Sequence, residues 1–226
     1  SENSIQMSYH SNGMRTQKSV DGVKTNYYYD SNKNLISLVK GNDTLLLYYD
    51  TDGSATSFSY NCTMYFYVKN LQGDVVRIID LSGTEVASYV YDAWGNIKDT
   101  KGDTTVRELN PIRYRGYVYD TETSLYYLQS RYYDPFAGRF LNADIYCDTN
   151  TGTPLSTNMF SYCENNVVMN MDNKGYSIGI SSGWVSFGID LIIDVFAAPV
   201  ALAYHAIKIA VKTYLKKYGV KKLQSI

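Results

Sequence analysis

Short runs of apolar and aromatic residues alternate with polar turn residues along the first hundred positions. Runs such as NYYYD (26–30) and ASYVYD (87–92) are typical of strands, and each ends in an aspartate. An aspartate here begins a turn, since its carboxylate accepts hydrogen bonds from backbone amides two residues on. Glycine, or asparagine as in Lys33-Asn34, then supplies the positive φ that closes a short loop. The chain returns as a second apolar run, such as NLISLVK (34–40), so the pattern predicts β-hairpins.

The hairpin pattern repeats along the chain. Turn sequences begin at Tyr9, Tyr29 and Tyr49, 20 residues apart, and another begins at Tyr91 after a weaker one near 67–73. Self-similarity at a fixed period of this length indicates a repeat architecture. A single hairpin cannot bury its apolar face, so we expect the hairpins to form one continuous antiparallel sheet, with an exposed strand edge at its amino end.

Composition supports a β-rich chain and gives little indication of a ligand or metal site. There are 24 tyrosines, and tyrosine favours half-buried pleated surfaces. The net charge of −1 does not indicate binding to nucleic acid. The three cysteines, Cys62, Cys147 and Cys163, form no C-x-x-C pair, so we expect buried free thiols rather than disulfides or a zinc site. His10 and His205 lie near opposite termini, outside any metal-ligand spacing. Neither a cofactor nor a metal is therefore expected.

Two longer segments carry a family resemblance. They are PIRYRGYVYDTETSLYYLQSRYYDPFAGRFLNAD (111–144) and NMFSYCENNVVMNMDNKG (158–175), and they resemble the RHS repeat-associated core, while the earlier turns resemble YD repeats. The resemblance implies a β-sheet strip that winds into a hollow shell, with the core at its end as a plug. It also implies a variable effector after the core, as in bacterial polymorphic toxins that are each paired with a cognate immunity protein.

Within the core segment, most of the specific residues have a predicted structural role. Tyr126 and Tyr127 are expected to pack across strands against Tyr132 and Tyr133. Arg131 can lay its guanidinium on such a ring and reach a carboxylate. A turn is expected to begin at Asp134-Pro135, with Gly138 at the position that needs no Cβ. The residues assigned a structural role are Arg131, Tyr132, Tyr133, Asp134, Pro135, Gly138, Arg139 and Phe140.

The resemblance also implies a candidate catalytic site, because some family members cleave their own chain as aspartyl proteases at the shell end. Carried over by position, the two carboxylates are Asp144 and Asp172, with Arg139 as the accompanying charge. The sequence departs from the family pattern, since Ile145 and Asn173 replace both prolines and the two aspartates lie further apart. Ordinary turn aspartates are the alternative. Cleavage, where it occurs, is expected shortly after residue 175.

The pattern changes after about residue 176, where the Tyr-Asp turns stop. Apolar spacing predicts two helices, 184–198 and 200–218, separated by Pro199. Six lysines and no acid follow Asp194, so a membrane-active hairpin over 184–226 is an alternative to a helical linker or incomplete effector packed against the shell.

The sequence therefore predicts a mainly β fold of three parts. YD hairpins occupy 1–110, the core 111–176 and a helical region 177–226. The opening SENSIQMSYH has neither a signal peptide nor an initiator methionine, which favours a piece of a longer protein. The leading hypothesis is the end of a secreted or surface shell that presents a C-terminal toxin in interbacterial competition. Its expected partners are its own effector region, upstream YD repeats and the immunity protein. A membrane-active effector formed by 180–226 and a self-cleaving shell are the alternatives.

Overall fold

The computed structural model describes residues 4–144, 158–168, 170–172, 175 and 178–180. Ten strands form one antiparallel sheet in which every strand pairs with its neighbours in sequence, so the predicted hairpin strip is confirmed. The strands of the strip are β1 Ile5–Tyr9, β2 Arg15–Val20, β3 Val23–Tyr29, β4 Leu35–Lys40, β5 Asp43–Tyr49, β6 Ala55–Tyr60, β7 Thr63–Lys69, β8 Val75–Ile79, β9 Glu85–Tyr91 and β10 Ile97–Gly102.

The 20-residue period of the sequence is a period of the backbone. A β-bulge interrupts the register at Tyr9, Tyr29, Tyr49 and Lys69, each 20 residues after the last. Directly after the bulge the chain enters a five-residue loop. In the loop at 50–54, for example, Asp50 accepts hydrogen bonds from the backbone amides of residues 52 and 54 at 3.0 and 2.8 Å. The sequence repeat is thus a repeat of bulge and Asx-type turn.

The loop at 30–34 corrects one sequence expectation. Lys33, and not Asn34, carries the positive φ of this turn, at 67°. Its place corresponds to Gly53 in the next repeat, at 76°. The aspartate-capped backbone fixes the conformation of that position, and Asn34 instead donates its side-chain amide to Asp30 Oδ2 at 2.9 Å.

From β1 to β8, five-residue loops and tight two-residue turns alternate, and the β8–β9 connection at 80–84 departs from this pattern because it is a five-residue loop at the opposite end of the strip. The tight turns include Asp21-Gly22 and Asn61-Cys62, whose residues all have positive φ, as a type I′ hairpin requires. Five long loops therefore lie at one end of the strip, which we call the long-loop end. They are 10–14, 30–34, 50–54, 70–74 and 92–96.

One face of the strip holds the main hydrophobic core. Leu45, Leu47 and Phe58 point to this face. Leu46 and Tyr48, which alternate with the two leucines along β5, are exposed. Helix α1, Thr104–Leu109, covers the last strands, and its N-cap Asp103 accepts from the amide of Val106 at 3.0 Å. The sheet thus has one buried and one solvent-facing side, as the alternating pattern predicts.

The core motif forms a separate four-stranded antiparallel sheet. Its strands are β11 Val118–Asp120, β12 Leu125–Tyr127, β13 Tyr132–Asp134 and β14 Arg139–Phe140. Tyr126 pairs with Tyr133 and Tyr127 with Tyr132, with ring centroids 6.2 and 5.1 Å apart, so the expected cross-strand aromatic pairs are confirmed. Remaining elements are the 3-10 turns Tyr114–Gly116 and Cys163–Asn165 and the paired strands β15 Asn170–Asp172 and β16 Ile178–Ile180.

The strip curls around this core sheet. Tyr126 and Tyr127 are consecutive in β12, so they point to opposite faces. The hydroxyl of Tyr127 accepts from the amide of Arg15 in β2 at 2.9 Å, and that of Tyr126 donates to the carbonyl of Gly95 after β9 at 2.8 Å. In a flat sheet β2 and β9 would lie roughly 30 Å apart. Two side chains of one short strand bridge them only because the strip bends.

The predicted C-terminal helices lie outside the described residues, as do Cys147 and His205. The expectation of buried thiols is confirmed for Cys163 and wrong for Cys62, which is exposed in a tight turn at the strip's other end. In β-hairpins, residues of a two-residue turn project into solvent, which explains the difference.

Candidate functional site

Arg131 lies at the centre of the candidate site. It follows the turn that joins β12 to β13, where its carbonyl accepts from the amide of Leu128 at 2.9 Å. The side chain is buried, and its guanidinium carbon sits 3.6 Å from the centroid of the Phe140 ring. The sequence predicts a ring under this guanidinium, and the structure supplies Phe140 on the neighbouring strand rather than a tyrosine.

The two predicted aspartates meet at this guanidinium. Arg131 Nη2 lies 3.1 Å from Asp144 Oδ2 and 3.2 Å from Asp172 Oδ2. Asp172 is fully buried in β15, whereas Asp144 keeps 15% of its side chain exposed at the end of the segment after β14. Two residues that are 28 apart in sequence therefore contact one guanidinium group.

The backbone of Gly175 completes the cluster. Its amide donates to Asp172 Oδ1 at 2.8 Å, and its carbonyl accepts from Arg131 Nε at 2.5 Å. A Cβ at this position would lie 2.4 Å from Ser130 Oγ, and φ is +73°. Glycine is thus required both by the backbone conformation and by close approach to the β12–β13 turn.

Arg139 is not part of this cluster. It is exposed in β14, with Asp134 as its cross-strand neighbour, so the charge beside both aspartates is that of Arg131. Adjacent strand residues face opposite sides of a sheet, and the buried Phe140 fixes Arg139 on the outside. This alternation is the signal in the sequence that distinguishes the two arginines.

The DPFAG turn, residues 134–138, joins β13 to β14 and contacts the loop 92–96. Asp134 Oδ1 accepts from the amide of Phe136 at 2.8 Å, and the carbonyl of the buried Pro135 accepts from Asn96 Nδ2 at 2.9 Å. Gly138 has a φ of +66°, and a Cβ there would sit 3.0 Å from the Trp94 ring. The turn therefore docks on the last long loop of the strip.

A second buried charge cluster joins the core sheet to the first hairpin, and sequence reasoning missed it. The guanidinium of Arg15 forms an ion pair with Asp120 and lies over the Tyr27 and Tyr127 rings, with its carbon 4.3 and 4.6 Å from their centroids. Lys18 Nζ contacts Asp120 Oδ1 at 2.9 Å. Arg15 and Asp120 are 105 residues apart, and no local pattern connects them.

Burial gives several groups of the core shifted pKa values. Loss of solvent raises the pKa of Cys163 to about 12 and that of Tyr114 to about 12. Within the described part of the chain, no group of three histidine, cysteine or acidic side chains could hold a metal ion. Among the same residues, no helix is long and apolar enough to cross a membrane.

Comparison with known proteins places the chain in a family. A family model described as the teneurin YD-shell matches residues 39–168. The tRNA3(Ser)-specific nuclease WapA of Bacillus spizizenii is 39% identical over 195 residues, which cover 79% of this chain and 8% of that protein. The double-stranded DNA deaminase toxin A of Burkholderia cenocepacia is 38% identical over 69 residues, or 30% of this chain and 5% of that protein.

Solved structures show the same fold. The Photorhabdus luminescens Tc holotoxin pore superposes with a TM-score of 0.56 at 18% identity, over 76% of this chain and 9% of that one. The chain thus spans less than a tenth of the length of the relatives named above. Because the family model covers more than half of the sequence, the chain belongs to the YD-shell family of RHS/YD-repeat proteins.

Proposed function

We propose that this chain is the terminal part of an RHS shell that closes around and presents a C-terminal toxin, secreted or carried on the cell surface and used against competing bacteria. The observation that carries the proposal is that the core sheet contacts both ends of the strip. It binds the first hairpin through Asp120 and the last one through Tyr126 and Tyr133, whose hydroxyls donate to the carbonyls of residues 95 and 94 at 2.8 Å each. A sheet held from both ends of the strip is suited to close a shell.

The names of the relatives support this function. One relative is called a tRNA nuclease and another a DNA deaminase toxin, yet both are similar to parts of this chain, over 195 and 69 residues. A segment common to proteins with different named activities is better suited to carrying an effector than to performing either reaction. The effector is then the region after 176, with upstream repeats and an immunity protein as partners.

A competition assay tests the shell function. Bacteria that produce the full-length parent protein are grown with a susceptible strain, and compared with producers whose protein lacks 177–226. We expect the deletion to abolish growth inhibition while the shell is still exported, and co-expression of the immunity protein in the target strain to protect it. Inhibition that persists without 177–226 would place the toxic activity elsewhere and contradict the proposal.

Self-cleavage is a second candidate function, favoured by the contacts of Gly175. Its carbonyl belongs to the peptide bond that follows it, and Arg131 Nε donates to that oxygen. A donor in this place polarises the carbonyl and stabilises the oxyanion that forms when water attacks. Asp144 and Asp172 would share one proton, so that the ionised carboxylate takes a proton from water and the protonated carboxyl group donates its proton to the leaving nitrogen.

The mass of the purified chain tests this reaction. After overnight incubation near neutral pH, a self-cleaving chain yields a fragment ending at residue 175, and Asp172→Asn abolishes that fragment. Asp134→Asn is the matched control, since Asp134 caps a turn of the same core but is not part of the cluster at Arg131. If the unsubstituted 226-residue chain keeps its mass of 25.6 kDa, the aspartates have a structural role, and the proposed shell function is not affected.

A further inference from the structure

A cavity beside helix α1 gathers arginine and threonine side chains that the shell function does not explain. It has a volume of about 180 Å³ and lies between α1, the last hairpin of the strip and the β11–β12 turn. Six of its lining residues bear on the argument: Thr100, Thr104, Arg107, Glu108, Arg113 and Thr121.

Arg113 is the buried cation of this cavity, with 5% of its surface exposed. Its guanidinium carbon lies 5.2 Å from the Tyr89 ring centroid and 4.4 Å from that of Tyr119. Nε donates to the carbonyl of Asn110 at 3.4 Å and Nη2 to that of Arg107 at 2.9 Å. These two bonds use two of five N–H groups, and no described carboxylate forms an ion pair with it. A buried cation without a counter-charge is costly.

Arg107 adds a second guanidinium. Its Nη1 donates to the hydroxyl of Thr100 and its Nη2 to that of Thr104 at 2.7 Å. Its Nε is buried and has no hydrogen-bond partner among the described residues. The two hydroxyls accept from the arginine and keep their own hydrogens, so each can still donate to a ligand. Donors therefore outnumber acceptors around the cavity.

Negative charge near the cavity is limited. Glu108 is exposed and forms no ion pair with any residue that the structure describes. Asp120 and Glu122 flank Thr121, but both contact Lys18 Nζ, at 2.9 and 2.6 Å. Two guanidinium groups and one carboxylate, that of Glu108, thus line the cavity.

We propose that this cavity binds a small oxyanion of the phosphate or sulfate class. Guanidinium groups match the geometry of such anions with paired N–H donors, and hydroxyls add further donors to a tetrahedral ligand. Bound there, the anion supplies the counter-charge that Arg113 lacks, and ties α1 to the last strand of the strip. The site is independent of both the shell function and self-cleavage.

Titration of the 226-residue chain with orthophosphate at constant ionic strength, followed by calorimetry, tests the proposal. We expect saturable binding that weakens about tenfold or more in Arg107→Gln, the loss expected when a charge-assisted hydrogen bond is removed. Glu108→Gln should tighten binding several-fold, since it removes the opposing charge. Arg77→Gln, on the exposed part of the strip, is the control and should bind as the parent does.

The Glu108→Gln variant keeps the test decisive if Arg107→Gln fails to fold, because a gain in affinity cannot come from unfolding. Sulfate and acetate are titrated in parallel. Sulfate should compete with phosphate, and acetate should bind at least about tenfold more weakly, having one charge and only two oxygens. Binding that does not saturate, that is unaltered by Arg107→Gln and Glu108→Gln, or that is equally strong for acetate would overturn the assignment.

Discussion

Gly53 and Gly95 occupy the same position of the five-residue loop, at φ values of 76° and 90°, but only one of them has room for a Cβ. Nothing lies within 4 Å of a Cβ built on Gly53, whereas one on Gly95 would be 2.6 Å from Tyr114 Cδ1. Gly53→Ala should cost about 1–2 kcal/mol for the left-handed backbone alone. Gly95→Ala should cost about 1–3 kcal/mol more than Gly53→Ala, because its methyl group would overpack the core against Tyr114. Urea unfolding measures both, and equal losses would show that the core adjusts freely around Tyr114.

Lys33 provides the opposite test of the same loop position. It holds a φ of 67° where the neighbouring repeats have glycine, so its side chain adds strain that glycine avoids. Lys33→Gly should therefore raise the free energy of unfolding by about 1 kcal/mol, a gain reduced by the greater freedom of glycine in the unfolded chain. Lys33→Ala, which keeps a Cβ, is the control and should leave stability nearly unchanged. A destabilised Lys33→Gly would mean that the lysine side chain contributes contacts of its own.

At the scale of elements, the join between β2 and the core sheet depends on Arg15. Its side chain is fully buried against Asp120, and removing one partner of a buried pair leaves an uncompensated charge. Arg15→Gln should lower the free energy of unfolding by about 3 kcal/mol. The exposed pair of Arg77 and Glu85, 3.9 Å apart, is the comparison, and Arg77→Gln should change stability by at most about 0.5 kcal/mol.

Hydrogen exchange locates the effect of Arg15→Gln. Amides of β11 and β12 should lose protection together with those of β2, because the ion pair joins these elements. Amides of β5 and β6, in the middle of the strip, should keep theirs. Loss of protection spread evenly over the strip would mean that the ion pair stabilises the whole fold and does not act as a local join.

The repeating elements follow from the sequence because their causes are local. A turn aspartate, a glycine or tight-turn residue and an alternating apolar run fix each hairpin, and hairpins of one kind stack in order. For the same reason the cross-strand pairs of Tyr126 and Tyr127 and the DPFAG turn are predictable. In the loop 30–34 the positive φ falls one residue before the asparagine that the sequence favours, since the hydrogen bonds of Asp30 define which residue takes the left-handed conformation.

Contacts between distant elements do not follow from local patterns. The pairing of Arg15 with Asp120 depends on how far the strip curls, which no short segment specifies. The family resemblance points to Asp144 and Asp172, but the fold of the β12–β13 turn determines that both contact Arg131. Arg139, the residue predicted from the family pattern, lies outside the site because neighbouring residues of a strand face opposite sides of the sheet.

At the scale of the whole molecule, tyrosine forms much of a second hydrophobic core, in which the core sheet packs against the segment around residue 162. Rings of the core sheet, of Tyr117 just before it and of Tyr162 contact one another, with centroids 4.0 Å apart for Tyr133 and Tyr162 and 6.3 Å for Tyr117 and Tyr126. A buried hydroxyl needs a partner, and the carbonyls of residues 93, 94 and 95 in one long loop accept from Tyr114, Tyr133 and Tyr126. Tyrosine therefore gives this interface both apolar area and directional bonds to the strip.

This construction makes the fold sensitive to alkali. Burial raises the pKa of Tyr114 to about 12 and the pKa values of Tyr117, Tyr126 and Tyr162 well above the ordinary 10.0. It also raises the pKa of Cys163 from 9.0 to about 12. Groups with a raised folded-state pKa stabilise the protein fully below their unfolded value, and this stabilisation is lost as the pH rises.

We therefore expect the free energy of unfolding to be level up to about pH 9 and to fall steeply above about pH 10, continuing through the folded values near 12. Urea unfolding at a series of pH values measures the fall, and tyrosinate absorbance shows whether ionisation accompanies unfolding. Cys163→Ala should remove only the part that begins near 9.0, because the tyrosine contribution starts a unit later. Full ionisation of the tyrosines near pH 10 in a folded chain would mean that the core sheet is open to solvent, and would argue against its role in closing the shell.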